Sequence, residues 1–134
     1  MTRRNKLRLA ASWWRAITSG TWHRRAGDQP VVEDMMDKYD AAAINKLMQE
    51  AVAREAGLQE LFAEAGVVPL TVAYEDCVQN PTGCLNQVLA YLDLPKQDAV
   101  PSNINLKQST DDLSEEWVQR FRNDLQKDWP NRGW

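Results

Sequence analysis

The sequence is poor in the residues from which common metal and catalytic centres are built. Its 134 residues include a single histidine, His23, and two cysteines, Cys77 and Cys84. These are too few for a zinc site, a disulfide framework or a histidine-based triad. We therefore predict no metal site and no catalytic residue, treat both cysteines as buried thiols, and expect a reducing, cytoplasmic location.

Long apolar runs are also missing. No stretch approaches the roughly 18 apolar residues of a membrane span, and Arg8 and Arg15 interrupt the first apolar stretch, which is not typical of a secretory signal. Apolar residues make up 43% of the chain and charged residues 26%, the balance of an ordinary globular protein. We expect a single domain over residues 1–134.

Acidic residues are absent from the first part of the chain. Residues 1–27 carry seven Lys or Arg and no acid, whereas residues 28–134 carry the other nine basic residues and all nineteen acids. The net charge is therefore +7 in the first segment and −10 in the second. This asymmetry favours an anionic partner at the N-terminal end, without indicating which one.

Apolar residues at helical spacing predict four helices. Asp40 is placed to cap the second helix and Gly66 to end it. Asn80 and Pro81 begin the third, which Pro95 ends. The expected apolar faces are Leu7, Ala10, Ala11, Trp14 and Ile17 in residues 5–18; Ile44, Leu47, Met48, Ala51, Leu58, Leu61 and Phe62; Leu85, Val88, Leu89 and Leu92; and Leu113, Trp117, Phe121 and Leu125 in residues 110–128.

Two segments do not follow a helical period. Residues 18–34 mix glycine, proline and charges and predict a loop, which we expect to be mobile. Residues 67–74, "VVPLTVAY", are almost continuously apolar and predict a strand buried on both faces, as in a parallel sheet. One strand cannot satisfy its own backbone groups. The predicted class is therefore α/β, helix-rich with one clear strand, with part of the sheet placed before Met1.

Three stretches together resemble the sulfotransferases that use 3′-phosphoadenylyl sulfate, and most closely the bacterial trehalose sulfotransferase family. They are "RRNKLRLAAS" with "WWRAITSGTWHR", then "PLTVAYEDCVQNP", then "LKQSTDDLSEEWVQRFRNDL". Their order and spacing match that family over nearly the whole chain. The resemblance implies the C-terminal, mostly helical part of a P-loop-like parallel-sheet fold.

The resemblance also implies nucleotide ligands. The wider superfamily binds the nucleotide 3′-phosphate with an arginine and a serine eight residues later, and Arg4 and Ser12 stand at that spacing; Arg3 is the alternative if the register differs by one. The planar guanidinium of an arginine and the free N–H groups at a helix N-terminus can both donate hydrogen bonds to a phosphate. Lys107, followed by Gln108, resembles the family's basic loop near the nucleotide, although a solvated lysine is an equally good interpretation.

For the segment at residues 74–76 and for the tryptophans, the sequence favours structural roles. Tyr74, Glu75 and Asp76 resemble the family's "YED" segment, and we expect the acids to cap a turn or hold a basic neighbour while the tyrosine packs. Trp14 and Trp117 fit helical spacing and predict core positions. Trp13 lies off the main stripe, so that a ligand-facing position stays open.

The resemblance predicts a partial enzyme. The family's phosphosulfate-binding loop of the form Ser-x-Pro-Arg-Ser-Gly-Thr has no match here, because "TSGT" at 18–21 follows a helix and lacks the glycine-rich spacing. We therefore expect a truncated domain whose residues 1–3 end a strand, which binds 3′-phosphoadenylyl sulfate or adenosine 3′,5′-bisphosphate weakly and does not turn over alone. A hydroxyl acceptor, by analogy a sugar, and a homodimer follow from the family.

Two other hypotheses explain the basic opening without a nucleotide. A non-catalytic helical module would dock its basic, tryptophan-rich first helix on an anionic membrane or nucleic acid. A transit peptide would be Arg-rich and free of acids, as this segment is. Neither hypothesis accounts for the segment around Tyr74 or for the closing helix, and we expect no specific nucleic-acid partner.

Overall fold

A computed structural model of the chain describes residues 1–22, 35–100 and 112–129. The described residues are mostly helical. Five α-helices are present there: α1, Lys6–Ser19; α2, Ala41–Glu64; α3, Tyr74–Gln79; α4, Pro81–Tyr91; and α5, Asp112–Leu125; a short 3₁₀ turn covers Met36–Lys38. The chain divides into two compact units, unit 1 (Met1–Arg4 and Glu55–Gln108) and unit 2 (Asn5–Arg54 and Ser109–Trp134).

The helix ends follow the capping signals of the sequence. The Asp40 side chain accepts a hydrogen bond from the Ala43 amide at 3.0 Å, and the Asn80 side chain accepts one from the Gly83 amide at 2.8 Å. Gly66 adopts a left-handed φ of 64° after α2, a conformation that suits glycine because it has no Cβ. The predicted caps Asp40 and Asn80 and the predicted stop at Gly66 are therefore confirmed.

The core of unit 2 forms where α1 packs against α5. Its largest fully buried side chains are Trp117, Phe121, Ile44 and Val118. Burying an apolar side chain of this size contributes about 1.5–3 kcal/mol, so that this cluster carries much of the unit's stability. The other buried members are Leu7, Ala10, Ala11 and Met35, with Trp14, Tyr39, Ala41, Leu47, Met48 and Leu113 packed against them.

The strand predicted for residues 67–74 would lie in unit 1, and this prediction is wrong for the described residues. Residues 67–72 adopt no regular secondary structure, and the described residues contain only one isolated parallel bridge, between Thr2 and Ala73. Val68 is 85% exposed, and Pro69 has no N–H to donate to a ladder. Tyr74 then begins α3, because Glu75 and Asp76 place negative charge in its first turn, where the helix dipole favours it.

The predicted apolar faces are mostly covered in unit 2, where Ile17 and Leu125 are nevertheless 44% and 49% exposed, and they are only partly covered in unit 1. Leu58, Leu61 and Leu92 are about half exposed, at 49%, 56% and 56%, and α4 buries no residue completely. Periodicity predicts that a face is apolar, but it does not predict what covers that face. No helix within the described residues is both long enough and apolar enough to cross a membrane.

The cysteines correct a second prediction. Cys77 of α3 and Cys84 of α4 form a disulfide, with their Cα atoms 5.0 Å apart, rather than two buried thiols. The tight turn at Asn80 brings the two short helices together, which a spacing of seven residues alone does not reveal. The expected mobile loop at 18–34 lies mostly outside the described residues; Thr18 and Ser19 within it complete α1.

Candidate functional site

The basic N-terminal segment of unit 1, residues 1–4, lies against the start of α3. The Thr2 amide donates to the Val72 carbonyl at 2.8 Å, and the Tyr74 amide donates to the Thr2 carbonyl at 2.9 Å. The Thr2 hydroxyl donates in addition to the Glu55 carboxylate. These bonds fix the backbone immediately before Arg3 and Arg4.

Arg4 forms a two-point ion pair with Asp76. Its Nη1 lies 2.5 Å from Oδ1 and its Nη2 lies 2.7 Å from Oδ2, an end-on fork geometry with two parallel hydrogen bonds. The hydrogen bond from Arg4 holds the pKa of Asp76 below its usual value, and the same bond raises the pKa of Arg4. The two side chains are 48% and 57% exposed, so that the pair lies at the surface and can be reached by a ligand.

The carboxylate of Glu75 contacts both Arg3 and Arg4 in residues 1–4. Its Oε2 accepts a hydrogen bond from the Arg4 amide at 3.1 Å, and its Oε1 lies 3.8 Å from Nε of Arg3. The Arg3 guanidinium stacks 4.7 Å above the Tyr74 ring in a cation–π contact. The two acids thus hold basic neighbours, the structural role that the sequence favoured.

Carboxylates face much of the positive charge of the opening segment. Glu75 and Asp76 face Arg3 and Arg4, and in unit 2 the Arg8 guanidinium is paired with Glu115 at 3.0 Å. The positive charge expected of residues 1–27 is therefore reduced locally around Arg3, Arg4 and Arg8. Counting charges along the sequence does not reveal these pairs, because each acid lies more than 70 residues from its basic partner in the chain.

The remaining predicted ligands occupy separate parts of the chain. Ser12 is a half-buried residue of α1 in unit 2, whereas Arg3 and Arg4 belong to unit 1. Lys107 and Gln108 lie outside the described residues. The roles of Arg4, Ser12, Arg3 and Lys107 toward a nucleotide therefore stay predictions.

The tryptophans of unit 2 have structural partners. Trp117 is 1% exposed, as its predicted core position requires. Trp14 is half-buried, and its Nε1 donates to the Lys38 carbonyl at 2.8 Å. The Arg54 guanidinium stacks 5.1 Å above the Trp13 ring, so that one face of Trp13 is occupied from within its own unit.

The described residues show no metal-ligating cluster. No group of three or more His, Cys, Asp or Glu side chains there is arranged to hold a metal ion. What the geometry presents instead is an exposed, oriented guanidinium on a fixed backbone. Such a group is suited to bind an anion that accepts parallel hydrogen bonds, such as a phosphate.

The chain belongs to the Stf0 sulphotransferase family, whose model matches residues 1–124. It is 34% identical over 119 residues to trehalose 2-sulfotransferase of Mycolicibacterium smegmatis, and that match covers 89% of this chain and 43% of the relative. It is 31% identical over 114 residues to trehalose 2-sulfotransferase of Mycobacterium tuberculosis, covering 84% of this chain and 40% of the relative. The family resemblance seen in the sequence is confirmed, and the chain spans less than half the length of both relatives.

Proposed function

We propose that this chain contributes the 3′-phosphate-binding part of a sulfotransferase that moves a sulfuryl group from 3′-phosphoadenylyl sulfate to a hydroxyl group, with a carbohydrate as the acceptor. Membership of the sulphotransferase family supports the reaction class. The two relatives named as trehalose 2-sulfotransferases support a sugar hydroxyl as the acceptor. In such a transfer the acceptor oxygen bonds to sulfur, the bond to adenosine 3′,5′-bisphosphate breaks, and a base takes the hydroxyl proton.

The observation that carries the proposal is the presentation of Arg4. Its guanidinium is exposed, is held by a carboxylate in fork geometry, and follows a backbone fixed at Thr2. The fit to a nucleotide phosphate is good, because a group that binds one planar oxyanion end-on keeps further N–H donors for another. The bound nucleotide would supply the sulfuryl group, and Arg4 and Ser12 would contribute to holding its 3′-phosphate.

Arg4 is a better candidate than Arg3. The Arg3 side chain is 19% exposed, and its guanidinium is engaged with Tyr74 and Glu75, whereas that of Arg4 is 48% exposed. The contribution of Lys107 belongs to the same proposal and rests on the family resemblance alone.

Calorimetric titration with adenosine 3′,5′-bisphosphate tests the proposal. Arg4→Ala and Ser12→Ala should each weaken binding about tenfold, the loss expected for one charge-assisted hydrogen-bonding partner. Lys96→Ala, which removes one exposed positive charge from unit 1, serves as the charge-matched control and should change affinity little. Adenosine 5′-monophosphate, which lacks the 3′-phosphate, should not distinguish wild type from Arg4→Ala. Equal affinity of wild type and Arg4→Ala for the bisphosphate contradicts the proposal.

The alternative, a basic helix docked on an anionic surface, has less support. The apolar face of α1 is formed by Leu7, Ala10 and Ala11, and all three are buried within unit 2. A membrane-binding helix needs that face for the acyl chains. Salt-sensitive binding to anionic vesicles, with no preference for a 3′-phosphorylated nucleotide, would support the alternative.

Three further parts of the proposal are testable separately. We expect weak nucleotide binding without turnover from residues 1–134 alone, a homodimer detectable by light scattering, and a cytoplasmic location. A cytoplasmic location is the expectation for a chain whose Cys77 and Cys84 are thiols. Their disulfide makes the redox state of this pair in cells the measurement that tests it.

A further inference from the structure

We propose that Asp76 is a positioning residue that orients the Arg4 guanidinium for a nucleotide 3′-phosphate, an inference that rests on the proposed function. Both oxygens of Asp76 accept from Arg4, at 2.5 Å and 2.7 Å. This contact fixes the plane of the guanidinium as well as its position. Asp76 itself contacts no ligand in this scheme; it acts through Arg4.

The geometry leaves one side of the guanidinium for the phosphate. Asp76 occupies the end between Nη1 and Nη2, whereas Nε–H and the outer N–H of Nη2 both point to the lateral side. Among the described residues no acceptor is hydrogen-bonded to Nε of Arg4. Two parallel donors on that side match two phosphate oxygens. The carboxylate and the phosphate therefore use different faces of the same side chain.

A positioning partner matters here because the backbone of Arg4 is fixed while its side chain is exposed. The Thr2 bonds and the bond from the Arg4 amide to Glu75 hold the main chain. A long, 48%-exposed arginine side chain would otherwise sample many rotamers, and ordering it on binding would reduce affinity. Asp76 removes that cost before the ligand arrives.

A positioning role of Asp76 and the charge of Asp76 predict opposite changes in phosphate affinity when the carboxylate is neutralised. A carboxylate next to a bound phosphate repels it, so that neutralising Asp76 should by charge alone strengthen binding. If Asp76 acts by positioning, Asp76→Asn should weaken binding, because an amide offers one acceptor oxygen where the fork needs two. Glu75→Gln is the matched comparison, since it removes the same charge one residue away and keeps an oxygen that can accept from the Arg4 amide.

The experiment measures the affinities of wild type, Asp76→Asn and Glu75→Gln for adenosine 3′,5′-bisphosphate and adenosine 5′-monophosphate. The ratio of the two affinities isolates the contribution of the 3′-phosphate, which a merely structural role of Asp76 would not change. We expect Asp76→Asn to reduce this ratio about tenfold, and Glu75→Gln to leave it the same or higher. The melting temperature of each variant, checked alongside, should stay close to that of wild type, because the pair is exposed.

The possible outcomes are distinguishable. An unchanged or increased ratio in Asp76→Asn overturns the positioning role while leaving the proposed function intact. An equal loss in Asp76→Asn and Glu75→Gln also overturns it, since the effect would then belong to the whole turn of α3. A wild-type protein without preference for the 3′-phosphorylated nucleotide overturns the proposed function and the positioning role with it.

Discussion

Arg8 of α1 and Glu115 of α5 form a two-point ion pair, with Nε 3.0 Å from Oε2 and Nη2 3.0 Å from Oε1. The two residues are 107 positions apart and join the helices that make the core of unit 2. The hydrogen bond from Arg8 lowers the pKa of Glu115 from its ordinary value of 4.5, against the opposing effect of burial. The pair therefore links the stability of unit 2 to pH.

Replacing Glu115 by Gln should destabilise unit 2 at neutral pH by at most about 1 kcal/mol, because both side chains are about a third exposed and solvent screens the pair. Since the folded-state pKa is lowered, the stabilisation is present above the unfolded value of 4.5 and is lost as the pH falls through the folded-state value. Urea unfolding at neutral pH and at a pH well below 4.5 measures the difference.

Glu50→Gln is the control for this prediction. Glu50 pairs with Arg54 four residues away on α2, with that arginine 65% exposed. Its loss should have a smaller effect, of about 0.3–0.5 kcal/mol. A Glu115→Gln effect that persists unchanged at low pH contradicts the ion-pair explanation.

Tyr39 should ionise only well above its ordinary pKa of 10.0. Burial raises the pKa most, followed by the hydrogen bond from the Tyr39 hydroxyl to Asp124 at 2.9 Å. The Arg120 guanidinium, 4.4 Å above the ring, opposes the shift. The difference between the ultraviolet pH titrations of wild type and Tyr39→Phe isolates this tyrosine.

The raised pKa also sets the direction of the stability change. The contribution of Tyr39 is complete below 10.0 and decreases as the pH rises through the folded-state pKa, because the unfolded chain releases the proton first. The stability advantage of wild type over Tyr39→Phe should therefore shrink in strong alkali. A phenolate signal from Tyr39 with a midpoint at or below 10.0 would contradict a pKa raised by partial burial of the ring and by the hydrogen bond to Asp124.

Asn80 and Gly83 should show strong thermodynamic coupling. The Asn80 side chain caps α4 by accepting from the Gly83 amide, and a Cβ at residue 83 would clash with the side chain of Asn80. Asn80→Ala should cost about 1 kcal/mol through the lost cap. Gly83→Ala alone should be nearly neutral, because a gain of up to about 1 kcal/mol in helix propensity is offset by displacement of the cap.

In the Asn80→Ala background the same Gly83→Ala change should be stabilising, since no cap remains to be displaced. Urea unfolding of wild type, the two single variants and the double variant completes this double-mutant cycle. Simple additivity of the two single changes would show that the cap and the added methyl group do not compete.

The Cys77–Cys84 disulfide should stabilise unit 1. It closes a loop of eight residues, for which the chain-entropy model gives about 2.5 kcal/mol. The Cys77→Ala/Cys84→Ala double variant should lose about this much, and wild type in excess dithiol should lose a similar amount while the double variant is unaffected by the reductant. Thiol alkylation followed by intact-mass measurement checks the pairing. Alkylation of both cysteines in the native, unreduced protein would contradict it.

Local signals in the sequence were sufficient for four of the five described helices; the short helix α3 was not predicted. The caps at Asp40 and Asn80 and the glycine stop at Gly66 act within four residues, so that their geometry follows from neighbouring residue types. Trp117 and Phe121 recur at helical spacing on α5, and both are buried as that spacing predicts.

The strand at residues 67–74 was not predictable in the same way. Whether an apolar segment becomes a strand depends on a neighbouring strand that offers backbone partners, and only Thr2 pairs with it in the described residues. Val68 is 85% exposed, and α3 begins at Tyr74 with Glu75 and Asp76 in its first turn, where the helix dipole favours acids.

The sequence by itself determined the family, the existence of four of the five described helices with the caps at Asp40 and Asn80, and the spacing of Arg4 and Ser12, because these depend on residue types and short distances along the chain. Tertiary structure alone decided which acids meet the basic opening segment. Asp76 lies 72 residues from Arg4, and only the packing of residues 1–4 against α3 brings the carboxylate onto the guanidinium fork. Ion pairing acts through space, so that its partners are set by the fold and not by their order in the chain.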